Sequence, residues 1–153
     1  MTDDWLAQLH GPGYEWTASP DQPATEREIA RLQAYSPRPL PEDYVAFLRR
    51  YGGGDIWYED LWLILVIPPA KVPQWHEGYG FTTDMPEALL FGSDGGGEGL
   101  VFDMRDHHPD GRYPILAVNY VTVGWKETLH VADSFRELML LRHELLKGAR
   151  HVD

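Results

Sequence analysis

Residues 40–67 read LPEDYVAFLRRYGGGDIWYEDLWLILVI, and two periodicities meet inside them. Tyr44, Phe47, Leu48 and Tyr51 fall at i, i+3, i+4 and i+7, one face of an amphipathic helix. Pro41 suits a first helical position, where its missing N–H leaves no bond unmade, and Glu42 and Asp43 follow it against the positive end of the helix dipole. Gly52-Gly53-Gly54 stops the helix, since glycine takes the left-handed C-cap conformation without a Cβ clash. Leu61 to Ile67 is then an unbroken apolar run closed by Pro68-Pro69, too short for a buried helix and the right length for a buried strand. A helix handing over to a strand through three glycines points to an α+β fold.

Upstream, Thr25 with Glu28 three residues later forms a capping box, and Ile29 and Leu32 share the face that follows, which predicts a helix of about three turns. The first 24 residues carry GPG, SP and QP breaks around Tyr14 and Trp16 and read as an irregular N-terminal arm, with Trp5, Leu6 and Leu9 suited to a short amphipathic turn. Downstream, Lys71 to Gly78 reads as a helical turn or loop carrying Trp75, because Pro73 argues against a long helix. Ala88–Phe91 and Leu100–Phe102 read as a hairpin joined by the glycine-rich stretch Gly92 to Gly99, whose glycines are expected to supply positive φ in the turn. Tyr113–Val118, Tyr120–Val123 and Thr128–Val131 follow as strands after the polar loop Asp106–Gly111. Ser134 with Glu137 opens a last helix that turns Phe135, Leu138, Leu141 and Leu145 inward and stops at Gly148. The expected architecture is one α+β domain over residues 25–153: a mainly antiparallel curved sheet with two N-terminal helices and one C-terminal helix packed around it.

Composition narrows the functions available. Six Trp, eight Tyr and 43% hydrophobic residues supply one core for 153 residues. The absence of cysteine excludes disulfides, thiolate zinc sites and a cysteine nucleophile. No apolar run approaches the roughly 20 residues of a membrane helix, and the start MTDDWLAQLH lacks a basic leader, so the expectation is a cytoplasmic protein without a membrane partner. The net charge of −11 repels phosphates and argues against direct binding to nucleic acid. That charge is concentrated: Gly52 to Asp110 carries eleven acids against two cations, Lys71 and Arg105.

Chemical motifs are sparse. Asp94-Gly95-Gly96-Gly97-Glu98-Gly99 lacks the Lys-Ser/Thr of a phosphate-binding loop and the ligand number of a calcium loop. His107-His108 lies among Asp103, Asp106 and Asp110, but adjacent loop positions rarely converge on one ion and no helical His-x-x-x-His spacing is present, so no metal is expected. Ser93 has the wrong flanks for a nucleophile elbow and Ser134 reads as a helix cap; neither a catalytic residue nor a cofactor is assigned. Aromatics mixed with acids are the composition of protein interfaces, and Trp57 and Tyr58 stand between Asp55 and Glu59.

Three stretches in order carry a family likeness: LPEDYVAFLRRYGGG at 40–54, LFGSDGGGEGLVFD at 90–103 and VADSFREL at 131–138. Together they resemble the SUKH superfamily, the Smi/Knr-type domains of bacterial toxin-immunity proteins and fungal cell-wall regulators. The resemblance implies an α+β domain with a curved sheet and no catalytic activity. It further implies a protein that binds and neutralises a cognate toxin, often a nuclease or deaminase, with an intracellular scaffold or regulatory module as the alternative. Joined to the charge distribution, it points to a toxin with a basic surface and to Asp55, Trp57, Glu59, Asp60, Asp94 and Glu98 as contact residues, without requiring that they form one patch.

Overall fold

The computed structural model describes residues 5–6, 14–17, 23–58, 61–94, 97–106 and 112–140. Among these residues seven strands, β1 (Tyr14–Thr17), β2 (Gly54–Tyr58), β3 (Leu61–Val66), β4 (Ala88–Ser93), β5 (Glu98–Asp103), β6 (Ile115–Asn119) and β7 (Thr128–Ala132), lie in chain order in one sheet. Every neighbouring pair is antiparallel. Register shifts at Ile56/Trp57, Leu90/Gly92 and Ile115/Leu116 mark bulges, which bend a sheet and sharpen its twist.

The two N-terminal helices form as their sequences dictate. In α1 (Glu26–Tyr35) the Glu28 N–H donates to Thr25 Oγ1 at 3.1 Å and the Thr25 N–H donates to Glu28 Oε1 at 2.9 Å, completing the capping box. In α2 (Glu42–Tyr51) the four periodic residues Tyr44, Phe47, Leu48 and Tyr51 are all buried, and Gly52, at φ 74°, donates its N–H to Leu48 O. Pro41 stands one position earlier than expected, as the extended N-cap.

A single 3₁₀ turn, Pro69–Lys71, leads into α3 (Val72–Gly78), and the short α4 (Phe81–Asp84) follows. Pro73 falls in the first turn of α3, where no helical bond is lost. Residues 135–140 begin the C-terminal helix, α5. Ser134 Oγ accepts from the Glu137 N–H, while the Glu137 carboxylate takes the Asp133 N–H, one residue outside a strict capping box. The inward positions expected at Leu141 and Leu145 and the stop expected at Gly148 lie outside the described residues. The Asp43 carboxylate ties α2 to α5, accepting the N–H of Tyr44 on one oxygen and that of Arg136 on the other, both at 2.8 Å.

Phe135 of α5 is the centre of the core. Tyr44, Phe47, Phe91 and Phe102 surround its ring at centroid separations of 5.3, 5.3, 5.7 and 6.5 Å, and Trp5 meets it edge-on at 6.1 Å. Tyr44 is fully buried there and its hydroxyl has no hydrogen-bond partner; burial drives its phenol well above the ordinary range.

Two expectations are corrected, and one stretch to which the sequence assigned no element is a strand. The N-terminal segment contributes β1, which pairs with β2, and Trp5 and Leu6 are buried, with Leu6 O accepting from the Tyr51 hydroxyl at 2.9 Å. The acidic stretch at Asp55 is itself strand β2, because β1 and β3 supply partners on both sides. Tyr120–Val123 is a bend, since Asn119 Oδ1 captures the Val121 N–H at 2.8 Å and turns the chain.

Candidate protein-binding face

The register decides which side chains share a face. Residues directly opposite one another on neighbouring strands point the same way, and successive residues alternate. Asp55, Leu65, Ser93, Gly99, Val118 and Thr128 are paired in one row running from β2 to β7. Leu100 and Phe102 alternate with Gly99 and Val101, and Phe102 packs on Tyr44 and Phe135. The row of Asp55 and Gly99 therefore lies on the face turned away from α2 and α5, here called the outer face.

Gly99 is what shapes that face. A Cβ at this position would lie 2.8 Å from Leu90 Cδ1 and 2.9 Å from Tyr120 Cε1, so the missing side chain is the seat of the Tyr120 ring. The Tyr120 N–H donates to Gly97 O at 3.1 Å, and its ring stacks on Tyr79 from the end of α3 at 3.9 Å and 20°. Tyr79 is 41% exposed, and Trp75, one helical turn back, meets it edge-on at 6.4 Å. Burial is the first cause that raises the Tyr120 phenol; the Ser93 side chain opposes it, and Tyr79 and Asp94 add to the rise.

Among the described residues of the turn, positive φ is found only at Gly97 (87°); Gly92 and Gly99 sit within β4 and β5, where close approach and not turn geometry disfavours a side chain. Gly95 and Gly96 lie outside the described residues.

The six residues chosen from sequence divide. Asp55 and Trp57, two apart on β2, both reach the outer face, each half-buried. Asp94 closes the β4–β5 hairpin by donating its N–H to Glu98 O at 3.2 Å, and its charge acts on the Tyr120 phenol. Glu98 alternates with Gly99 and so starts toward the helix side; its carboxyl is pushed up by burial first and then by the bond and charge of Asp94. Three strand spacings, about 14 Å, separate β2 from β5. Glu59 and Asp60 lie outside the described residues, as do His107 and His108. Sequence reasoning missed Tyr79 and Tyr120, although Asn119 before Tyr120 was a legible turn signal.

The buried histidine is structural. Pro68 and Pro69 end β3 and have no N–H, so the last β3–β4 bond is Ile67 N–H to Phe91 O at 2.9 Å. In the vacated position Leu90 donates its N–H to His76 Nδ1 at 3.2 Å. That bond assigns the proton to Nε2 and commits Nδ1, leaving no free ring nitrogen to take a substrate proton; burial lowers the pKa to about 4. Among the described residues no group of three or more His, Asp or Glu is placed to hold a metal ion, and no helix is long and apolar enough to cross a membrane.

A family model described as the SMI1 / KNR4 family (SUKH-1) matches residues 23–140, from the cap of α1 into α5. The chain belongs to this family. SUKH domains are in general non-catalytic immunity or regulatory domains. The match spans α1 through β7, so the Tyr79–Tyr120 stack lies wholly within the SUKH-1 domain, while β1 and Trp5 lie outside it. Among curated proteins, none matches the chain.

Proposed function

We propose that this SUKH-1 protein is a non-catalytic, immunity-type inhibitor that acts in the cytoplasm. It binds a cognate protein toxin with a basic surface, a nuclease or deaminase in chemistry, and covers the surface with which that toxin holds its substrate. The observation that supports this reading is the outer face, where half-exposed aromatics stand beside acids drawn from the segment with eleven acids and two cations. A toxin that grips nucleic acid does so with Lys and Arg, and an acidic face offers those cations an alternative partner. Charge complementarity speeds encounter and fixes orientation, while a few desolvated aromatics hold most of the affinity.

Co-purification from the native cell, followed by expression of the captured partner alone, tests the reading. The expected result is a partner that is toxic without this protein and binds it with an association rate that falls steeply as salt rises. Replacing Asp55, Glu59 and Asp60 together by Lys should lower that rate about tenfold or more at low salt. An unchanged rate and salt dependence would remove these acids from the contact, and a partner harmless on its own would favour the regulatory module.

A further inference from the structure

Strand β7 ends the sheet: β6 pairs with one side of it, and among the described residues no strand pairs with the other. Such an edge presents a row of unmade N–H and C=O groups, which proteins guard with Lys, Pro, a bulge or a covering element. Thr128-Leu129-His130-Val131-Ala132 contains no Lys, Arg, Asp, Glu or Pro, whereas β1, at the opposite edge, carries Glu15. The bulge leaves Val131 unmatched, but Thr128, Leu129 and His130 stay in regular register. Leu129 pairs with Ala117 and so falls in the row of Leu100, on the helix side of the sheet, and yet it is 64% exposed.

Charge decides what can cover this edge. The chain carries −11, with eleven acids between Gly52 and Asp110, and a basic partner is drawn to those acids and not to a strand that has none. Two copies of so acidic a chain repel one another over most of their surface and meet at least cost along a strip without carboxylates. Antiparallel pairing of a strand with its own copy about a two-fold axis sets one residue against itself. With the axis at Leu129 that residue is apolar and open, so Leu129 covers its counterpart on the helix side and Thr128 stands opposite the other copy's His130 on the outer side.

We infer that β7 is the edge at which two copies of this chain pair, antiparallel about Leu129, so that the sheet runs on from one copy into the next. Five residues a side make a small interface, and the dimer is accordingly weak and forms at high protein concentration. The contact is separate from the outer face to which toxin binding is assigned above.

Sedimentation velocity of the full chain over a concentration series tests this. The expected result is a reversible monomer–dimer equilibrium that shifts toward dimer as salt rises, because salt screens the repulsion between two chains of −11. That sign is opposite to the one expected for a basic toxin. Leu129→Lys, at an exposed position, sets two ammonium groups against each other at the axis and should weaken the dimer about tenfold or more without moving the unfolding midpoint. The chain has no cysteine, so Leu129→Cys should give a disulfide-linked dimer on mild oxidation, with Val121→Cys, at a residue 90% exposed, as the control for random collision. A monomer at every concentration, a dimer that ignores Leu129→Lys or weakens with salt, or equal cross-linking at the two cysteines would overturn the inference. A captured partner that is lost with Leu129→Lys from a chain that stays monomeric would assign the edge to that partner and overturn it as well. A toxin bound at the outer face is indifferent to Leu129→Lys, so either reading can fail and leave the other standing.

Discussion

The two faces of one sheet differ in kind. Toward α2 and α5, Phe91, Phe102 and Phe135 close around Tyr44 with no exposed side chain among them. On the outer face the aromatic rings are stacked but left partly open, and acids are interleaved with them. Strand alternation alone generates the contrast: Phe102 and Val101 are adjacent in sequence, both fully buried, and serve opposite layers. Where the inner layer is filled by bulky rings from the helices, the outer layer at β5 is filled by a ring from the β6–β7 bend laid over a glycine. The first arrangement resists change everywhere, while the second depends on one vacancy.

Breaking the inner face should have the largest effect. Phe135→Ala removes the ring that Trp5, Tyr44, Phe47, Phe91 and Phe102 all touch, and should lower unfolding free energy by about 3–5 kcal/mol in urea denaturation. Any loss of partner binding should then track the unfolded fraction.

The junction between the two layers should respond to acid. His76 is held neutral in the fold, with a pKa of about 4 against an ordinary 6.5, so the unfolded chain takes up a proton that the native one refuses. Its contribution is fully present above pH 6.5 and lost as pH falls toward 4, an interval equivalent to about 3 kcal/mol. Urea unfolding at several pH values, compared with His76→Gln, isolates this from the titration of the acids. The difference in slope between the two proteins should vanish above pH 7 and grow below 6.5; parallel curves would contradict the assignment of His76 as a neutral acceptor.

Gly99→Ala attacks the outer face where it depends on a vacancy. The new Cβ must displace both Leu90 Cδ1 and the Tyr120 ring, at a cost of about 1–3 kcal/mol, and the Tyr79–Tyr120 stack should open. Loss of the upfield ring-current shift at Tyr79 would report it directly. Partner binding should fall beyond what the stability change explains, the opposite of the behaviour expected for Phe135→Ala.

The parts of this fold written in neighbouring residues were legible in the sequence, and the parts written across the sheet were not. Thr25 with Glu28 and Ser134 with Glu137 lie within one helical turn, and both caps form. Strand β2 escaped notice because Asp55-Ile56-Trp57-Tyr58 has little apolar pattern of its own and becomes a strand only between Thr17 and Leu65. Tyr120-Val121-Thr122-Val123 has strand composition, yet the Asn119 side chain overrides it locally. The Asp43 bond to Arg136 spans 93 residues and has no local signature. For the site, the shared face of Asp55 and Trp57 follows from their spacing of two, but its continuation to Gly99 and Tyr120 depends on three inter-strand registers that no short-range pattern encodes.

The smallest effect is expected at the Tyr44 hydroxyl, a polar atom of the inner face. The Tyr44 hydroxyl is fully buried among Phe91, Phe102 and Phe135 and has no hydrogen-bond partner. A buried hydroxyl that makes a bond contributes about 1 kcal/mol, whereas an unmet one has lost its water and gained nothing. Tyr44→Phe keeps every ring contact and removes only that atom, so stability should change by less than about 1 kcal/mol, with a gain as the expected sign. Partner binding should be untouched, because the atom faces the helices and the contact faces away from them. A loss of 2 kcal/mol or more, well beyond the usual value of a single hydrogen bond, would mean that the hydroxyl is satisfied in solution and that the inner face is less purely apolar than its geometry indicates.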